Sequence, residues 1–516
     1  MADNTVNLTI EGRAVSVPAG TSILEAAKTV GVLIPHYCYH SGLPVAGVCR
    51  MCLVEVEKSP KLAPACATTV GEGQVVHVYS AKALEARKGV LEFLLINHPL
   101  DCPICDQSGE CELQDYTFQE GRADSRYREP KRFNPMEDFG GDVLYVQNRC
   151  ILCTRCVRFM DDVHHAPVLN VTERGDRAFI GKAPDADLTQ PWAANVVDLC
   201  PVGALVSKDF LNKARAWELD RTASVCTGCS QGCNITVEMR DNVVVRFKPR
   251  ANEHVNHFYM CDEGRANYRW LNRPDRLEVP MADGRPVDWE VALAATAALL
   301  KGKKAHIVAN ASLSNEAMHL IKRIAGKTGG AVTYAVNTGI EAALPGATDL
   351  AVRADRAANA TAAELFGFTR TSDVLSGLSA QHVLIIVDDA LDGISADAVA
   401  KAGAVIVIAT AMPTAVARAN VVLPIANVVE EEGTLTNLRG RVQRFLQSKQ
   451  APGLARPSWF VLADLLQALG EVAPHLTARA AFDALAKAEP AFAGMNYDTL
   501  ALSGQTVPGA LAGARA

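Results

Sequence analysis

The cysteines constrain this chain more than any other residue type. Its fifteen cysteines and one histidine fall into four consecutive sets, with no cysteine left over. We call these sets the first, second, third and fourth sites, and their members are, in order, Cys38, Cys49, Cys52 and Cys66; His98, Cys102, Cys105 and Cys111; Cys150, Cys153, Cys156 and Cys200; and Cys226, Cys229, Cys233 and Cys261. All four sites precede residue 262, so the second half of the chain contains no cysteine.

The length and composition of the chain restrict its location, its partners and the chemistry of its cysteines. The opening residues, MADNTVNLTIEGRAV, lack the basic and apolar regions of a secretory signal, so we expect an intracellular chain in which C-x2-C pairs are metal ligands or redox centres. A length of 516 residues predicts three or more domains. The net charge of −6 argues against a nucleic-acid partner. Apolar stretches such as Ala404 to Met412 fall short of the roughly 20 residues that span a bilayer, so we expect membrane contact only through partners.

The first site lies in a predicted domain of residues 1–80. Two alternating strands and a helix from Ser22 to Val30, with Thr21 as N-cap, precede the cysteines. This order resembles a β-grasp ferredoxin, although the first ligand gap is longer than in the plant-type C-x4-C-x2-C pattern. Four thiolates suit a [2Fe–2S] cluster, and a structural zinc ion is the alternative. Arg50, between two ligands, either offsets cluster charge or is a solvated loop residue.

The second site lies at the end of a helix in the predicted segment 81–120. Ser80 is the expected N-cap, and the helix is expected to continue as far as Pro99. The spacing H-x3-C-x2-C-x5-C supplies only three thiolates, so His98 is predicted to be the fourth ligand of a [4Fe–4S] cluster. The alternative for His98 is a cap or surface residue. Four other histidines do not lie beside a set of three cysteines that lacks a fourth ligand, and they are predicted to be structural: His36, His40, His164 and His165.

The third site, in a predicted ferredoxin-like domain of residues 140–215, has the C-x2-C-x2-C run of bacterial ferredoxins. In two-cluster ferredoxins a further Cys-Pro follows, but here Met160 stands at that position. The remote Cys200-Pro201 therefore supplies the fourth ligand of one [4Fe–4S] cluster. Three arginines near the run either balance cluster charge or form a solvated face: Arg149, Arg155 and Arg158.

The fourth site, within residues 220–275, has the spacing C-x2-C-x3-C-x27-C, which resembles the molybdopterin oxidoreductase family. Active members generally carry a lysine two residues after the fourth cysteine, where this chain has Glu263. No later cysteine could bind molybdenum, although a serine or aspartate ligand remains open. The resemblance thus implies a [4Fe–4S] cluster but a domain that has lost its catalysis, and we expect no molybdopterin.

The cysteine-free half, residues 285–500, alternates apolar strands with helices. Strand candidates are Ala305–Val308, His382–Val387, Val405–Ala409 and Val421–Ile425. This alternation predicts a parallel sheet with helices on both faces. The stretch VVLPIANVVEEEGTLTNLRGRVQRF resembles the molybdopterin oxidoreductase signature near the pterin. The predicted fold is therefore multidomain, α+β through the iron–sulfur half and then a shortened molybdopterin-oxidoreductase-like α/β domain.

Taken in order, the four sites resemble the large iron–sulfur subunits of the peripheral arm of respiratory complex I, over about residues 5–450. The resemblance implies one [2Fe–2S] and three [4Fe–4S] clusters that pass electrons from an NADH/FMN-binding flavoprotein subunit to ferredoxin-like subunits nearer the quinone. The chain itself would hold neither the NADH site nor the quinone site. It implies a peripheral location at the cytoplasmic face of the bacterial inner membrane, with the fourth cluster off the main electron path.

Two other functions fit the same ligand sets. One is the iron–sulfur subunit of an NAD-linked hydrogenase or formate dehydrogenase. Hydrogenase relatives usually lack the long α/β half, and a formate dehydrogenase would need the missing lysine and a molybdenum ligand. The other is a scaffold that four zinc ions stabilise, against which the consecutive C-x2-C-x2-C run and the single histidine both argue.

Overall fold

The structure, a computed structural model, describes residues 5–388, 394–472 and 477–508. The chain divides into two compact units. The first unit comprises Met1–Glu218 with Leu344–Thr348 and contains the first three sites, and the second comprises Leu219–Ala343 with Asp349–Ala516 and contains the fourth site. This division is coarser than the domain boundaries expected from the sequence, so those boundaries stay predictions.

The first unit opens with a mixed five-stranded sheet and one packed helix. In spatial order its strands are Arg13–Pro18, Thr5–Ile10, Val75–His77, Leu53–Val56 and Ala63–Pro64. Thr5–Ile10 pairs antiparallel with the hairpin strand Arg13–Pro18 and parallel with Val75–His77. The apolar residues that alternate along these strands pack against the buried face of the helix Ile23–Thr29. The arrangement is that of a β-grasp domain.

The N-cap of this helix is Ser22, so the prediction of Thr21 was wrong. The Ser22 hydroxyl accepts a hydrogen bond from the Glu25 backbone N–H at 3.2 Å. The Thr21 hydroxyl instead donates to the Pro18 carbonyl at 2.7 Å. Both residue types make good caps, and the turn after Pro18 decides which hydroxyl faces the helix.

The next segment contains the helices Ala81–Leu95 and Glu112–Glu120, with a short 3₁₀ turn at Cys102–Ile104. Ser80 caps the first helix as predicted, but the helix ends at Leu95 and not at Pro99. Lys131 satisfies two carbonyls at this end, because its Nζ donates to the Leu95 carbonyl at 2.7 Å and to the Ile96 carbonyl at 3.0 Å. His98 therefore lies beyond the helix.

The rest of the first unit is built from short elements around the third site. A three-stranded sheet has the order Leu205–Ser207, Val143–Tyr145, Glu137–Gly140. A separate hairpin pairs Leu169–Thr172 with Phe179–Lys182. The helical pieces are Gln147–Arg149, Arg155–Arg158, Phe159–Val163, Gly175–Arg177, Asn195–Leu199 and Ala216–Glu218.

The second unit begins with the antiparallel strands Asp220–Val225, Asn234–Arg240 and Val243–Pro249, followed by the helix Asp262–Ala266. In the described part of the chain its large sheet has eight strands, in the order Arg285–Pro286, Met281–Ala282, Val421–Pro424, Ala404–Ala409, His382–Val387, Lys304–Ala309, Ala331–Tyr334 and Thr369–Arg370. The six strands from Val421–Pro424 onward run parallel.

Both faces of this sheet are covered, as the sequence predicts. On one face Ile307, Ile385 and Ile406 pack in a large core with the longer helices. On the other face Val308, Leu384 and Val407 form a second core. Besides Asp262–Ala266, the α-helices in the described part of the unit are Trp289–Leu300, Asn315–Thr328, Ala360–Leu365, Ala396–Val399, Ser458–Ala468, Ala478–Ala488 and Tyr497–Leu500. A small sheet adds Gly433–Thr436, Arg441–Phe445 and Gln505–Thr506. No helix among the described residues is long and apolar enough to cross a bilayer.

Two of the buried carboxyl groups in the second unit have strongly raised pKa values, those of Glu316 and Glu431. Glu316 accepts hydrogen bonds from the Tyr497 hydroxyl at 2.9 Å and from the Thr434 backbone N–H at 3.0 Å. Glu431 accepts from the hydroxyl of Ser458 at 2.9 Å and from its backbone N–H. Burial raises the pKa of Glu316 from 4.5 to about 7 and that of Glu431 from 4.5 to about 8. The folded state therefore holds protons that the unfolded chain releases.

We predict that the second unit loses stability as the pH rises from 5 towards 8. Between the unfolded and folded pKa values the native state binds more protons, so the free energy of unfolding falls with pH. The loss is on the order of 3 kcal/mol for each carboxyl, because one pKa unit corresponds to about 1.4 kcal/mol. The substitution Glu431→Gln keeps both contacts to Ser458 and removes one titration, so its thermal midpoint should fall less steeply with pH. The exposed Glu290→Gln is the control, and identical pH slopes for all three proteins would contradict the prediction.

Candidate iron–sulfur sites

The four predicted ligands of the first site lie together in the structure. The side chains of Cys38, Cys52 and Cys66 are buried, and Cys49 is partly buried. Hydrogen bonds from Cys49 and Cys66 hold the pKa of Cys38 well below its usual range, and Cys66 in turn lowers the pKa of Cys52. The Cys38 backbone N–H also lies 3.5 Å from the Cys49 Sγ. These contacts bring all four sulfur atoms into one group.

The second site borders a pocket of about 580 Å³, whose lining includes His98, Cys102 and Cys111. The His98 Nδ1 atom is buried and has no hydrogen-bond partner in the described part of the chain. Burial lowers the pKa of His98 to about 4, so its ring is neutral at pH 7. A neutral ring with an unused buried nitrogen is what a metal ligand requires. Burial also raises the pKa of Cys105, and that of Cys111 to about 11.

The second and third sites adjoin each other. The Glu112 backbone N–H donates to the Pro201 carbonyl at 3.1 Å, which joins the residues that follow Cys111 and Cys200. Gly203 lies so near the second site that a Cβ there would stand 2.3 Å from the Cys105 Sγ. The buried Arg149, which precedes Cys150, binds Asp101 with nitrogen–oxygen distances of 2.6 and 2.9 Å. Arg149 is therefore a buried, paired residue, and the alternative of a solvated face does not apply to it.

The cysteines of the third site are enclosed by protein, and burial raises the pKa of Cys150 to about 11 and that of Cys153 to about 12. Burial likewise raises the pKa of Cys156 and Cys200. Leu152 has a left-handed backbone with φ of 51°, and its N–H donates to the Cys150 Sγ at 3.4 Å. Such an N–H donor stabilises negative charge on sulfur. The C-x2-C-x2-C spacing therefore corresponds to a loop that folds around the cysteines it contains.

The remaining residues singled out near these sites fall into two groups. Arg50 is exposed, which matches the solvated alternative. His36 and His165 bind nearby backbone carbonyl groups at 2.7 and 3.1 Å, and the Gly42 N–H donates to His40 at 3.1 Å. These local contacts suit structural roles for His36, His40 and His165, and the structural role of His164 stays a prediction.

The fourth site is a small cavity of about 40 Å³ that its four cysteines line together with Glu263, Gly264 and Arg356. The Gly264 N–H donates to the Cys261 Sγ at 3.2 Å. A Cβ at Gly264 would stand 3.1 Å from that sulfur, so a larger residue would crowd the ligands. Glu263 pairs with Arg356 at 3.1 Å. The Glu263 carboxylate, which stands where a lysine was expected, is thus paired with the Arg356 guanidinium beside the site.

The donor sets fit iron–sulfur clusters. Each of the four sites consists of thiols, or of thiols with one neutral imidazole, and their cysteines are buried or partly buried except for Cys102 of the second site, which is exposed. Burial disfavours thiolates unless positive charge arrives with the metal. Among the described residues, no three His, Cys, Asp or Glu side chains are placed to hold one metal ion. In a four-iron cluster each ligand binds a different iron atom. The assignment of individual ligands stays a prediction.

Sequence reasoning missed three residues that the structure places beside the sites. Gly203 and Arg356 make their contacts through the tertiary fold, and spacing gave no signal for either. Tyr37 adjoins Cys38, and its ring packs edge-on against Tyr116 with centroids 5.4 Å apart. Its position next to a predicted ligand was the available signal.

Family models match five successive parts of the chain. Residues 3–81 match the 2Fe-2S iron–sulfur cluster binding domain, and residues 87–126 match the NADH-ubiquinone oxidoreductase-G iron–sulfur binding region. Residues 140–206 match the ferredoxin-like domain of NADH-quinone oxidoreductase subunit 3. Residues 219–273 match the molybdopterin oxidoreductase Fe4S4 domain, and residues 354–468 match molybdopterin oxidoreductase. The chain is therefore an iron–sulfur protein whose ferredoxin-type domains precede a molybdopterin-oxidoreductase-type fold, and the predicted fold class is confirmed.

Proteins of similar sequence indicate more closely which kind of iron–sulfur protein this is. The G-type subunit of NADH-quinone oxidoreductase from Rickettsia bellii is 41% identical over 331 residues, which are 63% of this chain and 48% of the relative. The mitochondrial NADH-ubiquinone oxidoreductase 78 kDa subunit of Neurospora crassa is 46% identical over 294 residues, 56% of this chain and 39% of the relative. Over the aligned region this chain is similar to these two subunits, which confirms the resemblance seen in the sequence. The match spans about half the length of these relatives or less.

Among solved structures, an NAD⁺-reducing [NiFe]-hydrogenase in the H₂-reduced state is 28% identical and has a TM-score of 0.37. The match covers 40% of this chain and 90% of that chain.

We predict that His98→Ala removes the cluster of the second site. Three thiolates would remain, so purified protein should lose about four irons and one [4Fe–4S] signal, while the other signals persist. His98→Cys should keep the iron but lower the potential, because a thiolate adds negative charge. Iron analysis and electron paramagnetic resonance (EPR) measure both effects. The partly buried His77→Ala, in a strand of the β-grasp sheet, is the control, and an unchanged spectrum in His98→Ala would exclude His98 as a ligand.

Proposed function

We propose that this chain is an electron-relay subunit of NADH:quinone oxidoreductase, complex I. It receives electrons from the NADH/FMN-binding flavoprotein subunit and delivers them to ferredoxin-like subunits nearer the quinone. It carries one [2Fe–2S] cluster at the first site and a [4Fe–4S] cluster at each of the other three, with the ligands named above. It is peripheral, and it reaches the cytoplasmic face of the bacterial inner membrane through the assembled complex.

The observation that carries this proposal is the direct adjacency of the first three sites within one unit. The second and third sites adjoin through the contact between Glu112 and Pro201. The first and third sites adjoin through Arg158, whose guanidinium donates to the carbonyls of Cys38 and Cys153. Electron tunnelling falls steeply with distance, so neighbouring clusters favour transfer. Separate structural metal ions would not need this proximity.

When bound, the clusters supply the one-electron chemistry, and the chain positions and tunes them. Burial excludes water from the sulfur ligands, and backbone N–H groups such as that of Leu152 donate to them. His98 contributes a neutral ligand where a fourth thiolate would add negative charge. Buried arginines place positive charge between the sites. The chain itself moves no proton in this role.

Iron analysis with EPR tests the proposal. Anaerobically purified protein, titrated with dithionite, should contain about 14 irons per chain and matching acid-labile sulfide, with one [2Fe–2S] and several [4Fe–4S] signals. Zinc in place of iron would overturn the electron-transfer function. About 10 irons, with the fourth site empty, would reduce the relay to three sites. Copurification of the chain with NADH:quinone oxidoreductase activity would support complex I as its host complex. Copurification with hydrogenase or formate dehydrogenase activity would favour the alternative host.

We predict that the fourth cluster supports the fold more than it carries current. Cys229→Ala should reduce the yield of assembled complex, while each assembled complex keeps most of its NADH oxidation rate. The matched variant Cys153→Ala, at the third site, should abolish electron transfer per complex. Assembly is measured by native gel and activity per complex by NADH oxidation. A fully assembled Cys229→Ala complex with proportionally lost NADH oxidation would contradict this role.

A further inference from the structure

One arginine contacts segments that belong to three different sites. Arg155 lies between two ligands of the third site and is only 4% exposed. Its Nη2 atom donates to the Tyr39 carbonyl at 2.8 Å, and its Nη1 atom donates to the Leu199 carbonyl at 3.2 Å. Both nitrogens also lie 3.3 Å from the carboxylate oxygens of Glu112.

Every one of these acceptors is next in sequence to a predicted ligand. Tyr39 follows Cys38 of the first site, Glu112 follows Cys111 of the second, and Leu199 precedes Cys200 of the third. A rigid, planar guanidinium with five donors is suited to hold several segments at once. Movement of any one ligand segment would therefore disturb contacts with the other two.

The charge of Arg155 is only partly neutralised. Its carboxylate partner, Glu112, has a side chain that is 40% exposed, and the 3.3 Å separation exceeds that of a strong charge-assisted bond. The Arg155 Nε atom is buried without a hydrogen-bond partner among the described residues. A negatively charged group at the third site would satisfy this donor. Arg149, in contrast, is closely paired with Asp101.

We propose that Arg155 is a shared positioning residue that couples the first, second and third clusters and raises their reduction potentials. The inference rests on the proposed function, because it requires redox clusters at these sites. Reduction adds an electron to a cluster, and a buried cation nearby favours the reduced state. The effect is largest at the third site, whose ligands flank Arg155, and smaller at the other two.

The test is an EPR-monitored redox titration of the purified complex that carries Arg155→Gln. At a fixed ambient potential, the reduced-to-oxidised ratio of the third cluster should fall by about tenfold, which corresponds to about 59 mV for one electron. The first and second clusters should shift in the same direction by a smaller factor. Iron and sulfide contents should stay at the wild-type level.

Three further variants separate charge from structure. Arg155→Lys keeps the charge, so its third-cluster ratio should stay within about twofold of wild type. Arg158→Gln should shift the first and third clusters and spare the second, because in the described structure Arg158 donates to the Thr154 hydroxyl and to the carbonyls of Pro44, Cys38 and Cys153, all of which lie near those two sites. Arg276→Gln removes a buried, paired arginine from the second unit and should leave all three ratios unchanged.

The outcomes distinguish the inference from the proposed function. Wild-type protein without iron-based EPR signals would overturn both. Wild-type signals together with unchanged ratios in fully loaded Arg155→Gln would overturn the inference alone, as would equal shifts in the Gln and Lys variants. If Arg155→Gln loses its clusters, the Glu112→Gln variant tests the inference instead. Removal of the Glu112 carboxylate should raise the reduced-to-oxidised ratio of the second cluster. An unchanged ratio there would contradict the coupling.

Discussion

The burial of thiol ligands is the constraint on which the rest of this structure depends. A buried thiolate is costly unless positive charge or hydrogen-bond donors lie beside it. The chain meets this requirement with tight ligand loops, which direct N–H groups at sulfur near Cys150 and Cys261. Where burial raises the pKa of the thiols, as at Cys111 and Cys153, a bound metal would supply the missing positive charge.

Buried arginines connect segments that the chain order separates. Arg87 joins the β-grasp domain to the following helices through the Val78 carbonyl and the Glu120 carboxylate. Arg155 and Arg158 join the ligand loops of the first and third sites. A guanidinium serves this purpose because it keeps its charge when buried and can donate in several directions. Arg155 and Arg158 thus both connect segments of the fold and place positive charge near the predicted ligands.

The second unit combines a buried cysteine site with an open parallel sheet. Its cysteines line a small cavity in which Glu263 and Arg356 form an ion pair. In the related oxidoreductases a lysine is expected at the position of Glu263, so this chain has a negative charge there in place of a positive one. Arg356, which is distant in sequence, balances the charge of Glu263.

The sequence by itself determined the parallel sheet and predicted the four ligand sets, because runs of apolar residues and ligand spacing are local properties of a chain. It could not decide between Thr21 and Ser22 as the cap, nor between a solvated and a buried Arg155. The Arg155 partners lie 43, 44 and 116 residues away. Only the tertiary structure decided which arginines lie between the sites, because a hydrogen bond between distant segments exists only once both have folded around the same ligands.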